Sequence, residues 1–250
     1  MIDFRSSQMD SQTSPMRLDK YISQVTDYSR KQVKALLKAN LVTLDGQTVS
    51  DPSLHIVTNQ VVAVDGETLS SPSARYFMLN KPLGYICATK DSSHPVVLDL
   101  LDEPNKDKLQ IAGRLDIDTT GLVLITDDGQ WNHSLTSPNH KCDKTYYVCT
   151  AEAITHQYIE KFAKGIMLEG ETKRTRPAVL DILFANEARL TISEGKYHQV
   201  KRMFAAMGNR VEELHRESIG GILLDKDLPE GDYRPLTEEE IGAVGTTRRR

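Results

Sequence analysis

Four consecutive apolar residues, Leu122-Val123-Leu124-Ile125, limit what can surround them. A strand with one wet face alternates polar and apolar side chains, whereas an unbroken run of this length reads as a buried strand. Such a strand needs a core of some size around it. A chain of 250 residues can supply that core, in one large domain or two smaller ones. The residues at the mouth of the run are of another kind. The stretch "GRLDIDTTGLVLITDDG", Gly113 to Gly129, sets Asp116 and Asp118 beside Arg114, Thr119, Thr120 and two glycines.

Strand and helix periods alternate around this segment. "RYFMLNKPLGYICAT" predicts a strand, a Lys-Pro turn and a second strand; "KTYYVCTA", "AVLDILFA" and "ARLTISEG" predict three more. "THQYIEKFAKG" and "YHQVKRMFAAMG" have helical spacing, the second with Val200, Met203, Phe204 and Met207 on one face. Strands clustered around intermittent helices imply an α+β domain over 76–243, on a mixed, mostly antiparallel sheet.

The region in front, 16–69, has a different pattern. Leu18, Ile22 and Val25 space a first helix, and Ser29 stands as the N-cap of a second, with Val33, Leu36 and Leu37 as its buried stripe. Arg30, Lys31, Lys34 and Lys38 then fall on the outward face. Asp45-Gly46 and Asp65-Gly66 mark two hairpin turns. "SSPSAR", 70–75, reads as a linker, 1–15 as a mobile tail and 244–250 as a second tail.

Charge and composition narrow the chemistry. The net charge is −4, yet residues 16–40 carry six Lys/Arg against two Asp, and 196–216 carry five against two Glu. Two basic patches on an acidic chain give local phosphate affinity with little nonspecific adhesion. No apolar stretch is long enough to span a bilayer, and the N-terminal residues have no secretory pattern. Cys87, Cys142 and Cys149 form no C-x-x-C pair, and an odd count argues against a disulfide framework, so a reduced cytoplasmic setting is expected. His140 and Cys142 lack further ligands at zinc spacing, so no metal site is expected. Phosphate loop, dinucleotide fingerprint, H-E-x-x-H and G-x-S-x-G are all missing, which leaves ordinary side chains to do any catalysis and implies no cofactor.

Three readings of Asp116 and Asp118 follow from the residues. Turn-capping by aspartate and threonine is the plainest. A glycosidase-like carboxylate pair is the second, although residues i and i+2 of a strand face opposite ways and need a bend to converge. The third is resemblance. "GRLDIDTTGL" resembles the catalytic motif of the RNA pseudouridine synthases, G-R-L-D-x-D-(T/S)-x-G-L. "KTYYV" (144–148) and "GKYHQVKRMFAAMG" (195–208) follow in the family's order. The basic helices and small sheet in front are similar to an S4 RNA-binding domain, with one departure: Asn40-Leu41 stand where that family commonly has a glycine. The similarity extends from Met16 to about Ala243. "RYFMLNKPLGYICAT", "SPNHKCDKTY" and "LHRESIGGILLD" are most similar to the branch that modifies small-subunit (16S) ribosomal RNA.

The resemblance implies an enzyme that isomerises a uridine of ribosomal RNA, free or in a pre-ribosomal particle, as a monomer with no membrane partner. It implies Asp116 as the catalytic carboxylate, acting on the ribose as nucleophile or base, and Asp118 as a loop holder. Tyr146 is implied to stack on the uracil, and Lys201 to pair with Asp116 and keep it charged. Arg202 would take that part if the match shifted by one residue. Arg114, Arg17, Lys20, Arg30, Lys31, Lys34 and Arg202 are the expected RNA contacts. A sister enzyme acting on large-subunit rRNA or tRNA, or an inactive assembly factor that binds RNA, stays open at this point.

Overall fold

The structure, a computed structural model, describes residues 16–57, 60–69, 74–137 and 142–244. The expected first tail, nearly all of the second (245–250), most of the expected linker (70–73) and His140 lie outside the described residues. Between Ser73 and Ala74 the chain divides into two compact units.

In the first unit, β1 (Met16–Arg17) pairs with β4 (His55–Ile56), and α1 (Leu18–Val25) and α2 (Arg30–Lys38) follow β1. β2 (Val42–Leu44), β3 (Gln47–Thr48), β5 (Val62–Val64) and β6 (Glu67–Leu69) form an antiparallel sheet in the order β3-β2-β5-β6. Leu18, Ile22, Val33, Leu37, Val42 and Val62 are fully buried between helices and sheet. Ser29 caps α2 as its sequence position predicts: its side chain accepts from the Gln32 N–H, and the Gln32 side chain accepts from the Ser29 N–H. Both hairpin turns use left-handed pairs, with φ of 50° and 78° at Asp45-Gly46 and 52° and 80° at Asp65-Gly66. Asn40 has φ of 58°. Asparagine is one of the few residues with a Cβ that adopts this conformation readily, so the turn before β2 forms without a glycine.

The second unit is built on one sheet, ordered β11-β12-β10-β13-β9-β7-β15, with β8 pairing β9 and β14 pairing β13. Its strands are β7 (Tyr76–Lys81), β8 (Gln110–Ala112), β9 (Thr120–Thr126), β10 (Lys144–Thr150), β11 (Val179–Phe184), β12 (Glu187–Ile192), β13 (Val211–Ile219), β14 (Ile222–Leu223) and β15 (Tyr233–Pro235). Its helices are α3 (Gly129–Thr136), α4 (His156–Ala163), α5 (Gln199–Ala205) and α6 (Glu238–Gly242). Every ladder between these strands is antiparallel except β13 with β9. The sheet is therefore mixed and mostly antiparallel.

Two cores account for the unbroken apolar run. Val123 and Ile125 enter one with Phe77, Leu79 and the α4–α5 residues Phe162, Met203 and Phe204. Leu122 and Leu124 enter the other with Met78 and the α3 residues Trp131 and Leu135. Each fully buried leucine or valine contributes roughly 1.5–3 kcal/mol, so neither face of β9 could become polar cheaply.

One expectation needs correction, and the longest strand of the sheet has no counterpart among the predicted ones. The second strand after the Lys-Pro turn is absent; that segment makes one isolated bridge, Ile86 with Val96. The unpredicted strand is β13, which at nine residues is the longest of the sheet. Its buried positions include Arg216 and Ser218, so the inward face carries no apolar stripe for a periodicity argument to find.

Candidate active site

The motif Gly113–Thr119 forms a loop between β8 and β9, and Gly113 has φ of 81°. The Thr119 N–H bonds the Asp116 carbonyl at 3.1 Å, closing a turn. That turn is the bend the i, i+2 rule calls for. Both carboxylates consequently meet one cation. Lys201 Nζ lies 3.7 Å from Asp116 Oδ2 and donates a hydrogen bond to Asp118 Oδ1. Partial burial pushes the Asp118 carboxyl up, but the Lys201 hydrogen bond and charge outweigh it and hold the group below the usual carboxylate range. Asp118 is thus a direct partner of the lysine and not only a loop holder.

Lys201 sits in the first turn of α5, whose N-cap His198 adopts φ of 47°. His198 Nε2 lies 3.3 Å from Asp116 Oδ1, on the other carboxylate oxygen from Lys201. Arg202 turns elsewhere: its guanidinium donates to Glu171 Oε1 at 3.3 Å and to the Tyr197 carbonyl at 3.0 Å. The geometry favours Lys201 over the one-residue alternative as the partner of Asp116.

Two buried cations fasten the loop from behind. Lys81, at the end of β7, donates to the Thr119 carbonyl at 2.7 Å and lies 3.5 Å from that of Ile117. Burial pulls its ammonium below the ordinary lysine value. Arg216 of β13 donates to the carbonyls of Gly113 at 2.6 Å and Leu122 at 2.8 Å. Its guanidinium also reaches the Tyr146 hydroxyl at 3.4 Å. Removing a cation from water costs several kcal/mol, and here main-chain dipoles of the 113–119 loop and of β9 take over from water. Neither residue stands out in the sequence, because a cation bonded to carbonyls has no acidic partner to form a recognisable pattern.

Gly121 permits the close approach of β9 to β13. It has φ of 100°, and a Cβ there would lie 2.4 Å from the Arg216 carbonyl oxygen. The motif glycine thus answers to backbone crowding.

Tyr146 lies on β10 and is buried with its ring beneath Arg216, whose guanidinium carbon is 5.9 Å from the ring centre. Tyr147 turns to the other face, where a hydrogen bond with Glu187 is the main cause of its hydroxyl being pushed up to about 12. A cavity of about 530 Å³ joins Asp116, Arg114, Tyr146, Lys201, His198 and Arg216; Arg202 does not line it.

The other expected RNA contacts belong to the first unit. Lys20, Arg30, Lys31 and Lys34 are exposed on α1 and α2. Arg17 is engaged by buried Asp19, at 3.0 and 2.9 Å. Among the described residues, no three His, Cys, Asp or Glu side chains cluster as a metal site requires. No helix among them is long and apolar enough to cross a membrane.

Comparison with known proteins bears on this site. The family model described as RNA pseudouridylate synthase matches residues 75–206, and the S4 domain model matches residues 16–62. The Ribosomal small subunit pseudouridine synthase A of Escherichia coli (strain K12) is 56% identical over 230 residues, covering 92% of this chain and 100% of the relative. Its namesake in Vibrio parahaemolyticus is 53% identical over 231 residues, covering 92% of this chain and 99% of the relative. A crystal structure of a pseudouridylate synthase superposes with a TM-score of 0.68 at 46% identity, over 92% of this chain and 99% of the other.

Proposed function

The chain belongs to the RNA pseudouridylate synthase family and carries an S4 domain, and from that premise we propose that it isomerises a uridine of small-subunit ribosomal RNA, with Asp116 as the catalytic carboxylate. The reaction breaks the C1′–N1 bond, turns the uracil and forms a C1′–C5 bond. The proton lost from C5 is balanced by one gained at N1, so the product is an isomer and no oxidant or energy source is consumed.

The observation that carries this reading is the meeting of Asp116, Tyr146 and Lys201, from three separate elements, in one cavity. A carboxylate beside the ribose stabilises the positive charge that develops there as the glycosidic bond breaks. Lys201 and His198 contact its two oxygens and restrict how it can turn. The target base must leave its stack, at a cost of a few kcal/mol, to be enclosed. The buried Tyr146 ring offers it a face, and exposed Arg114 at the rim is suited to the neighbouring phosphates or to the space the base vacates. The exposed cations of the first unit supply sequence-independent phosphate affinity. A ribosomal RNA substrate fits a cytoplasmic site of action, as do three free cysteines.

Pseudouridine mapping in ribosomal RNA from cells with and without the protein tests the reading. A single small-subunit uridine should lose its modification, and the wild-type chain but not Asp116→Asn should restore it. Loss confined to large-subunit RNA or tRNA would overturn the substrate; restoration by Asp116→Asn would overturn the catalytic role.

A further inference from the structure

Tyr197 has no place in the roles above, yet among the described residues no large hydrophobic side chain is more exposed, at 72%. Its ring is parallel to that of His198, with centroids 3.7 Å apart and planes 22° apart. His198 in turn touches the Asp116 carboxylate at 3.3 Å. Resting on the proposed function, we propose that Tyr197 and His198 form a stacking platform for the nucleobase adjacent to the target uridine.

The rim that presents the pair is fixed in place. Arg202 donates to the Tyr197 carbonyl at 3.0 Å while bonded to Glu171. Lys196 also reaches Glu171, at 2.6 Å, and its N–H bonds Gln199 Oε1 at 2.9 Å. His198 is held at positive φ, a conformation unfavourable to a residue with a Cβ that persists only where its surroundings enforce it. The backbone that carries both rings is therefore held before any ligand arrives.

Shape and charge both indicate a nucleobase. Tyr197 has one face on His198, and its high exposure leaves the other open to a planar partner. Arg114, Lys144, Lys196, Lys201 and Arg216 line the same cavity, a surround suited to a polyanion. The target uracil has its own buried aromatic in Tyr146, so the exposed ring serves the base beside it. Aromatic platforms bind bases of any identity, because every base has a π-face.

The test is a double cycle on the full-length protein. The probe is a nine-nucleotide single-stranded RNA with one uridine among adenosines, and the same RNA with an abasic ribose on one side or the other of the uridine. Removing one base should weaken wild-type binding by about 5- to 150-fold, the range of a base–aromatic stack. Tyr197→Leu should show the same loss on intact RNA and no further loss on the abasic one. Tyr197→Phe, which keeps the ring, should bind as the parent does. Independent, multiplying losses, or no loss with Tyr197→Leu, would overturn the platform. Pseudouridine formation in a small-subunit rRNA transcript is assayed in parallel. No product beside an intact cycle would overturn the proposed function alone; product beside multiplying losses would overturn the platform alone.

Discussion

Positive charge is used on opposite terms in the two units of this chain. Lys20, Lys31 and Lys34 stand in solvent on the helices of the first unit, where they are hydrated, movable and open to a phosphate. Lys81 and Arg216 of the second unit are out of solvent and bonded to carbonyls at both ends of the 113–119 loop. The first kind is worth little singly, adds along a surface and weakens with salt. The second is shielded from salt, and its loss would leave loop carbonyls without donors. Loss of the exposed cations of the first unit should therefore move RNA affinity, and loss of the buried cations of the second the rate of the chemical step.

The largest expected separation is at Asp116. Asp116→Asn removes a charge at almost constant shape, so turnover should become undetectable while RNA affinity stays within a fewfold. Asp118→Asn should be far milder, since Lys201 remains within reach of Asp116. Single-turnover pseudouridine formation and filter binding on one RNA measure the two quantities. Robust turnover by Asp116→Asn would remove the carboxylate from the mechanism.

Glycine substitutions come next, because they oppose the same residue type in the two units. In Gly121→Ala the new Cβ meets backbone atoms of Arg216 at 2.4 and 2.7 Å, and backbone cannot rotate aside. In Gly46→Ala, at φ of 78°, nothing lies within 4 Å, so only the conformational cost of about 1–3 kcal/mol applies. Each kcal/mol is worth roughly 2–4 °C of Tm for a chain of this size. Gly121→Ala should lower Tm by more than Gly46→Ala does and also slow the reaction, because it displaces the strand that carries Arg216. Equal thermal shifts would mean that the two strands separate without cost.

The exposed cations should give a smaller effect of a different kind. Arg30, Lys31 and Lys34 replaced together by Gln should raise the RNA concentration for half-maximal rate and spare the rate at saturation. If these side chains neutralise single-stranded phosphates, the slope of log affinity against log salt should fall by roughly 0.7 for each phosphate set free. An unchanged slope would make this helix a merely hydrated surface.

The same contrast explains what the sequence makes legible. Features whose physics is local can be read directly: the four-residue apolar run of β9, the Ser29 cap and the two Asp-Gly turns each announce themselves within a few residues. The three segments of the resemblance single out Asp116, Tyr146 and Lys201 as candidates, and the fold brings them to one cavity. Features that exist only through main-chain partners are silent. Arg216 and Ser218 alternate inward along β13 but interrupt its apolar pattern, so no periodicity marks the longest strand. Lys81 shows as one charge in "LNKPLG", with nothing nearby to say that it bonds the carbonyls of Ile117 and Thr119. His198 and the turn that brings Asp118 to Lys201 depend on backbone angles no side-chain spacing encodes.

The smallest effect expected is a pH response of the second unit. His215 of β13 faces Thr120 of β9, with Nδ1 2.8 Å from Oγ1, at the parallel ladder of the sheet. Burial pulls its pKa below the ordinary 6.5; Glu217 and Glu230 oppose that without reversing it. Well above 6.5 the ring is neutral whether the chain is folded or not, and the contact keeps its full contribution. As pH falls from there through the folded-state value, the unfolded chain takes up the proton first, so stability is progressively lost. Tm measured between pH 7.5 and pH 5 should therefore decline less steeply for His215→Gln, which keeps a hydrogen-bonding group and cannot titrate, than for the wild type. Replacing Arg30, Lys31 and Lys34 by Gln should leave that difference untouched, because those side chains belong to the first unit and His215 to the second. A wild type and a His215→Gln variant with superposable profiles would mean that the β9–β13 junction tolerates the imidazolium, and that its closeness rests on Gly121 alone.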